Sequence, residues 1–218
     1  MAELRPSFGD EQLPTYRAVV ERRRHDARGS DIRRVDRLLF AAMTIDTERE
    51  ALERALDGRG DHELFGCDPA LADTAAFCAA YGFAMEDSAN TIVVVGKSDP
   101  PTYAACVVLA THRLDVNRAV RGRLGTRKAS FASPDETRAL TGHEIGGVTA
   151  FGLPAGLPLL VDAAVMRRER IVLGGGSRSW KVLAPPSILL TIGGVEVVEG
   201  LANPAPERSL PAPAPGNA

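Results

Sequence analysis

Cysteine is scarce in this sequence and does not come in pairs. Cys67, Cys78 and Cys106 are odd in number and form no C-x-x-C motif. That argues against a disulfide framework or a zinc site and for a reducing cytoplasm. The four histidines, His25, His62, His112 and His143, show no H-x-x-x-H or H-x-E spacing, so no metal site is expected from them. No run approaches the roughly 18 apolar residues of a membrane span, and Met1–Pro6 opens no apolar targeting segment. The expectation is a soluble, cytoplasmic chain with no membrane partner. Neither sign of charge dominates: 26 Lys+Arg against 28 Asp+Glu leave a net charge of −2. This excludes a basic nucleic-acid coat but leaves room for local patches. What is present is ordinary globular material, 44% hydrophobic and 25% charged over 218 residues. That is enough to bury one core, with extensions.

Those extensions are legible at both ends. The segment 203–218 carries five of the 15 prolines and only Leu210 to bury, so it reads as a disordered Pro/Ala-rich tail. Residues 1–45 read as a charged helical extension, with helices expected over Pro14–Arg24 and Ile32–Ala42. Between them lies a domain over 46–202. Its first helix is expected at Thr47, where Thr47 and Glu50 match a capping box. A second opens at Asp68-Pro69 and runs to Gly82. Asp115 caps a short helix ending at Gly125. Ser133-Pro134-Asp135-Glu136 opens a helix that stops at Gly142. Strands are expected at Thr91–Val95, Ala105–Ala110, Pro158–Asp162, Arg170–Leu173, Trp180–Leu183 and Val195–Val198, with a short helix near Pro186–Leu190. Helices fall early and strands run contiguously, so the fold class is α+β rather than alternating βαβ.

Motifs for common chemistries are missing. Gly174-Gly175-Gly176 follows the apolar run Ile171-Val172-Leu173, but Pro185-Pro186 leave no room for the helix a dinucleotide loop requires. Gly96-Lys97 lacks the upstream glycine and the Ser/Thr of a P-loop, and there is no G-x-S-x-G elbow. Cys78 and Cys106 read as small core residues. Cys67 precedes Asp68, where a helix N-terminus lowers a thiol pKa, but no base stands at partner spacing. Thr141–Pro154 is denser: five of its 14 residues are Gly or Pro, around Val148 and Thr149. Gly146 and Gly147 permit a backbone that approaches a ligand closely. A tight turn explains the same residues equally well. Six basic residues against one acid lie between Arg113 and Lys128, and five against one between Arg167 and Lys181. Both segments are candidate phosphate contacts.

Taken together and in order, these segments resemble the YbaK/prolyl-tRNA-synthetase-associated domain, the aminoacyl-tRNA deacylase family. The resemblance is carried by Ser88-Ala89-Asn90-Thr91-Ile92-Val93-Val94-Val95 and by Leu124-Gly125-Thr126-Arg127-Lys128-Ala129-Ser130-Phe131-Ala132. It continues in Leu140-Thr141-Gly142, Gly146-Gly147-Val148-Thr149, Gly152-Leu153-Pro154, Val161-Asp162 and the glycine run. It implies a compact α+β domain with a curved mixed β-sheet flanked by helices. It also implies hydrolysis, in trans, of the ester that links a small amino acid to a mischarged tRNA. Neither metal nor cofactor is implied: backbone dipoles of the glycine loop orient the ester, and the tRNA's terminal ribose hydroxyl assists.

On this resemblance the catalytic candidates are Gly146, Gly147 and Thr149. The substrate-binding candidates are Asn90, Lys128, Val148, Gly152, Gly175 and Gly176, and the expected partner is the tRNA acceptor end. The chain departs from the family pattern at Asn90, where the family carries a lysine, at Thr149-Ala150 in place of Ser-Pro, and at Lys181 in place of an acid. Lys97 lies seven residues along the strand, about 23 Å away and on the opposite face, so Lys128 is the expected substitute. The alternative expectation is a member that binds an aminoacylated or nucleotide-like ligand without hydrolysing it. Sequence alone leaves the amino acid, the tRNA and the oligomeric state open.

Overall fold

Alternation of apolar side chains on both faces of one strand organises the domain. The computed structural model describes residues 30–206. Two units are distinguished, one up to Glu50 and one from Ala51 onward, and the second carries every element of the fold except most of the first helix. That helix, α1, spans Ser30–Leu56 without a break, so the start expected at Thr47 is corrected. No Gly or Pro interrupts these residues, and the Thr47 hydroxyl donates to the Met43 carbonyl one turn back at 2.8 Å. A mid-helix threonine bonds in this way, whereas an N-cap bonds forward. The helix expected over Pro14–Arg24 lies outside the described residues.

The strand β2 (Ala89–Gly96) turns through Ser98–Pro101 into β3 (Thr102–Leu109), antiparallel and in register from Ala89 opposite Leu109 to Gly96 opposite Thr102. β5 (Ala129–Phe131) adds antiparallel to β2, while β6 (Leu159–Asp162) lies parallel to β3 and β9 (Val195–Val198) parallel to β6. The order β5-β2-β3-β6-β9 makes a mixed sheet. Along β3, Ala105, Val107 and Leu109 enter one core with Leu52, Leu56, Phe151 and Leu173. Ala104, Cys106 and Val108 enter a second core with Val120, Leu160 and Leu201. Both faces of the strand are buried, which is why it reads as a continuous apolar run.

A three-stranded antiparallel sheet abuts this one. Its order is β1 (Glu63–Gly66), β8 (Trp180–Ala184), β7 (Ile171–Gly174), and a bridge from Ser88 to Val172 joins it to the start of β2. A cluster of edge-on and stacked rings, Phe65, Phe77, Tyr81 and Phe83, fills the space beneath it. The tail expected to begin at Asn203 begins inside a strand. β10 (Ala202–Pro204) pairs with β4 (His112–Leu114), and Ala205 N–H donates to the Thr111 carbonyl at 2.9 Å. Residues 207–218 lie outside the described residues.

The helix expected over Asp68–Gly82 is two elements. Asp68 accepts the Ala70 N–H and caps a single 3-10 turn, Pro69–Leu71. The chain reopens at Asp73 (φ −65°, ψ 136°) before α2 (Thr74–Tyr81), which stops at Gly82. Asp73 is a second cap residue, and its extended conformation divides the run. Asp115 caps the stretch Val116–Arg123 as expected. Ser133 and Glu136 close both bonds of a capping box on α3 (Pro134–Thr141).

Candidate functional site

A cleft of about 330 Å³ opens at the seam between the two sheets. Its floor is the start of β2, Ser88–Val93. One wall is Asp73, Thr74 and Phe77 of α2 and its cap, and another is Ile145, Gly146 and Val148. Val172–Gly174 of β7, Lys181 of β8, and Phe131 with Ala132 complete it.

The glycine loop is held there by backbone packing. Gly147 N–H donates to Glu144 O at 2.9 Å, closing a turn in which Gly146 adopts φ +89°, the left-handed third position that favours glycine. Gly176 N–H donates to Gly147 O at 2.6 Å, and Glu144 N–H to Gly176 O at 3.0 Å. The two glycine segments lie so close that a Cβ on Gly147 would stand 1.9 Å from the Ser177 carbonyl oxygen. Arg178 clamps the assembly, donating to Pro69 O at 2.9 Å and Ile145 O at 3.2 Å and pairing with Asp73 at 3.3 Å.

Lys181 is the group that sequence reasoning did not foresee in this cleft. Its side chain is buried. Its Nζ donates to Ala72 O at 2.7 Å and Gly146 O at 3.2 Å and stands 5.3 Å from the centre of the Phe77 ring. Burial lowers its pKa from the ordinary 10.5. The break at Asp73 leaves the Ala72 carbonyl outside α2 to receive it. Two signals were available in the sequence: its place where the family carries an acid, and its setting between Trp180 and Val182-Leu183 within a strand.

The expected site residues divide in two. Asn90, Gly146 and Val148 line the cleft. Asn90 accepts the Thr74 hydroxyl on its side-chain oxygen at 2.8 Å, which leaves its amide hydrogens to offer. Gly147, Gly175 and Gly176 do not line the cleft, and their N–H groups are committed to Glu144, Trp180 and Gly147 carbonyls. Thr149 is buried, its hydroxyl taking the Phe151 N–H at 3.4 Å. Gly152 packs toward Ala55. Lys128 is exposed and does not line the cleft. Sequence reasoning also missed Asp73, Thr74, Phe77 and Thr91. The buried Thr91 hydroxyl, on the cleft floor, has no partner among the described residues.

Of the two basic segments, Arg167–Lys181 is spent internally. Arg167 pairs with Glu199, Arg168 with Asp87, Arg170 with Glu63 and Arg178 with Asp73. Cys67 donates to Arg178 O at 3.1 Å, and burial pushes its thiol up rather than down. Burial also lowers the pKa of His143, whose Nδ1 is unpartnered among the described residues. No three His, Cys, Asp or Glu side chains among the described residues are placed to hold a metal ion, and no described helix is long and apolar enough to cross a membrane.

Comparison with known proteins agrees with this architecture. The aminoacyl-tRNA editing domain matches residues 68–186. The crystal structure of a candidate trans-editing enzyme for prolyl-tRNA synthetase superposes with a TM-score of 0.61 at 25% identity, over 70% of this chain and 95% of that one. A hypothetical protein superposes with a TM-score of 0.63 at 23% identity, over 70% of this chain and 99% of the other, a likeness of fold.

Proposed function

The chain belongs to the aminoacyl-tRNA editing domain family, and we propose that its cleft hydrolyses the ester joining a small amino acid to the acceptor end of a mischarged tRNA. The observation that carries this reading is the pairing of a buried cation with free backbone donors. Among the described residues, no acceptor takes the N–H of Gly146 or Val148, and both residues line the cleft with Lys181. An ester carbonyl held against these N–H groups is polarised, and the oxyanion that forms when water adds is stabilised by them. Collapse breaks the carbon–oxygen bond to the ribose. The amino acid leaves as a carboxylic acid that ionises, and the ribose oxygen takes a proton. Lys181 donates to the Gly146 carbonyl, which fixes the peptide plane of the loop. The apolar walls Phe77, Val93, Val148 and Leu173 suit an apolar side chain.

One observation favours the second reading, binding without turnover: the cleft strand carries the neutral Asn90, and a neutral amide is a weaker partner for a phosphate or oxyanion than an ammonium. The test is a deacylation screen of the purified chain over a panel of mischarged tRNAs. Release above the no-protein rate for at least one small amino acid is the expected result. Release no faster than that control across the panel favours the binding-only reading.

A further inference from the structure

We propose that Phe131, together with Ile145, is a stacking platform for the unpaired 3′-terminal base of an RNA, and that Lys97, Arg127 and Lys128 hold the phosphates leading to it. The inference rests on the acceptor-end reading of the cleft and names where the base, rather than the amino acid, is bound. Five large apolar side chains among the described residues are well exposed, and two of them, Phe131 at 57% and Ile145 at 48%, stand on the lining of this cleft. The ring pairs seen among the described residues join Phe65, Phe77, Tyr81 and Phe83, and none of these pairs involves Phe131. It is held by a strand rather than a loop: Phe131 lies opposite Val94 in β5, an edge strand bonded to β2 alone. An apolar ring on an open sheet edge is a liability unless something covers it. A nucleobase covers it well, since every base has a π-face.

Charge places the rest of the ligand. Lys97 N–H donates to Lys128 O at 2.8 Å, which brings the two lysines to the same end of β5. Arg121 bonds the Arg127 carbonyl at 3.4 Å and secures that turn. Lys97, Arg127 and Lys128 are exposed and have no ion-pair partner among the described residues, unlike the four paired arginines of the other basic segment. Glu136, the carboxylate whose field reaches Lys97, is engaged by the N–H and hydroxyl of Ser133. Lys128 precedes Phe131 by three residues, about 10 Å of extended chain. Cations beside an exposed ring, without a groove that reads base edges, are the elements of single-strand binding.

The experiment is a calorimetric titration of the full chain at fixed salt with two short RNAs, one ending in a 3′-terminal adenosine and one abasic at that residue. Wild type is expected to prefer the adenosine-ending RNA by about tenfold. Phe131→Ala is expected to erase that preference and Phe131→Trp to keep it. Lys97→Ala with Lys128→Ala should weaken both RNAs alike and flatten the salt dependence. Equal affinity of wild type for the two RNAs, no measurable binding of either, or an undiminished preference in Phe131→Ala overturns the proposal. So does a dimer in sedimentation that Phe131→Ala dissolves, because a second copy would then be what covers the ring. These titrations need no turnover. A chain that hydrolyses no ester yet prefers the terminal base loses the deacylase reading alone, and one that hydrolyses without that preference loses this inference alone.

Discussion

Lys181 shows what a single side chain decides here. An ammonium with only 5% of its surface exposed persists because two carbonyls and a ring face replace its water. Replacing it with Met removes the charge and leaves the Ala72 and Gly146 carbonyls without their donor. We expect Lys181→Met to lose about 1–3 kcal/mol in urea denaturation, the cost of stranding a buried acceptor. The pH dependence has a definite sign. The folded pKa lies below 10.5, so the unfolded chain binds this proton more tightly, and stability from this group rises as pH climbs from the folded value to 10.5. Denaturation profiles over that window should show a rise in wild type that Lys181→Met lacks, and identical slopes would mean that the lysine is not buried as a cation. Asn90 and the Gly146–Val148 loop were legible in sequence because their order and spacing carry the resemblance. Lys181 was not, because its direction depends on β8 pairing with β1 on one side and β7 on the other, contacts more than a hundred residues apart in the first case.

At the scale of elements, one signature occurs twice and means two things. Thr47-x-x-Glu50 and Ser133-x-x-Glu136 both read as capping boxes, yet only the second begins a helix. The difference lies upstream. Residues 30–46 are already helical, so Thr47 has a carbonyl behind it, whereas Ser133 leaves an extended segment with φ −66° and ψ 162° and is followed by Pro134. Ser133→Ala is expected to cost about 1 kcal/mol, and Thr47→Ala, which removes only a back-bond on an exposed helix, no more than about 0.5 kcal/mol. Thermal melts of the two variants check the contrast, and equal losses would count against it. The apolar strands β2, β3 and β6 were legible from composition. The three-residue strands β4 and β10 were not, because partners rather than their own residues make them strands.

For the domain as a whole, the closing segment contributes more than its composition suggests. Leu201 is fully buried, its carbonyl takes the Asp115 N–H at 2.9 Å, and Asp162 accepts the Ala202 N–H at 2.7 Å. The residues just beyond form the edge of a ribbon with β4. Two truncations isolate the contribution of this ribbon: removal of 203–218 is expected to leave a chain about 1–2 kcal/mol less stable than removal of 207–218, from the loss of backbone hydrogen bonds worth about 1 kcal/mol each. Equal melting midpoints for the two truncated chains would show that β10 contributes nothing.

The close approach of Gly147 to Ser177, and of Gly174 to the Gly147 and Val148 carbonyls at 2.6 and 2.4 Å from a would-be Cβ, has a consequence for how the cleft could be altered. Behind part of its wall main chain is pressed on main chain, and no side chain can be added there without parting two segments. The selectivity of this cleft is therefore adjustable from its side-chain walls, at Thr74, Phe77, Val93, Val148 and Leu173. A library built to change which acyl group enters should vary those five positions and leave the glycines untouched.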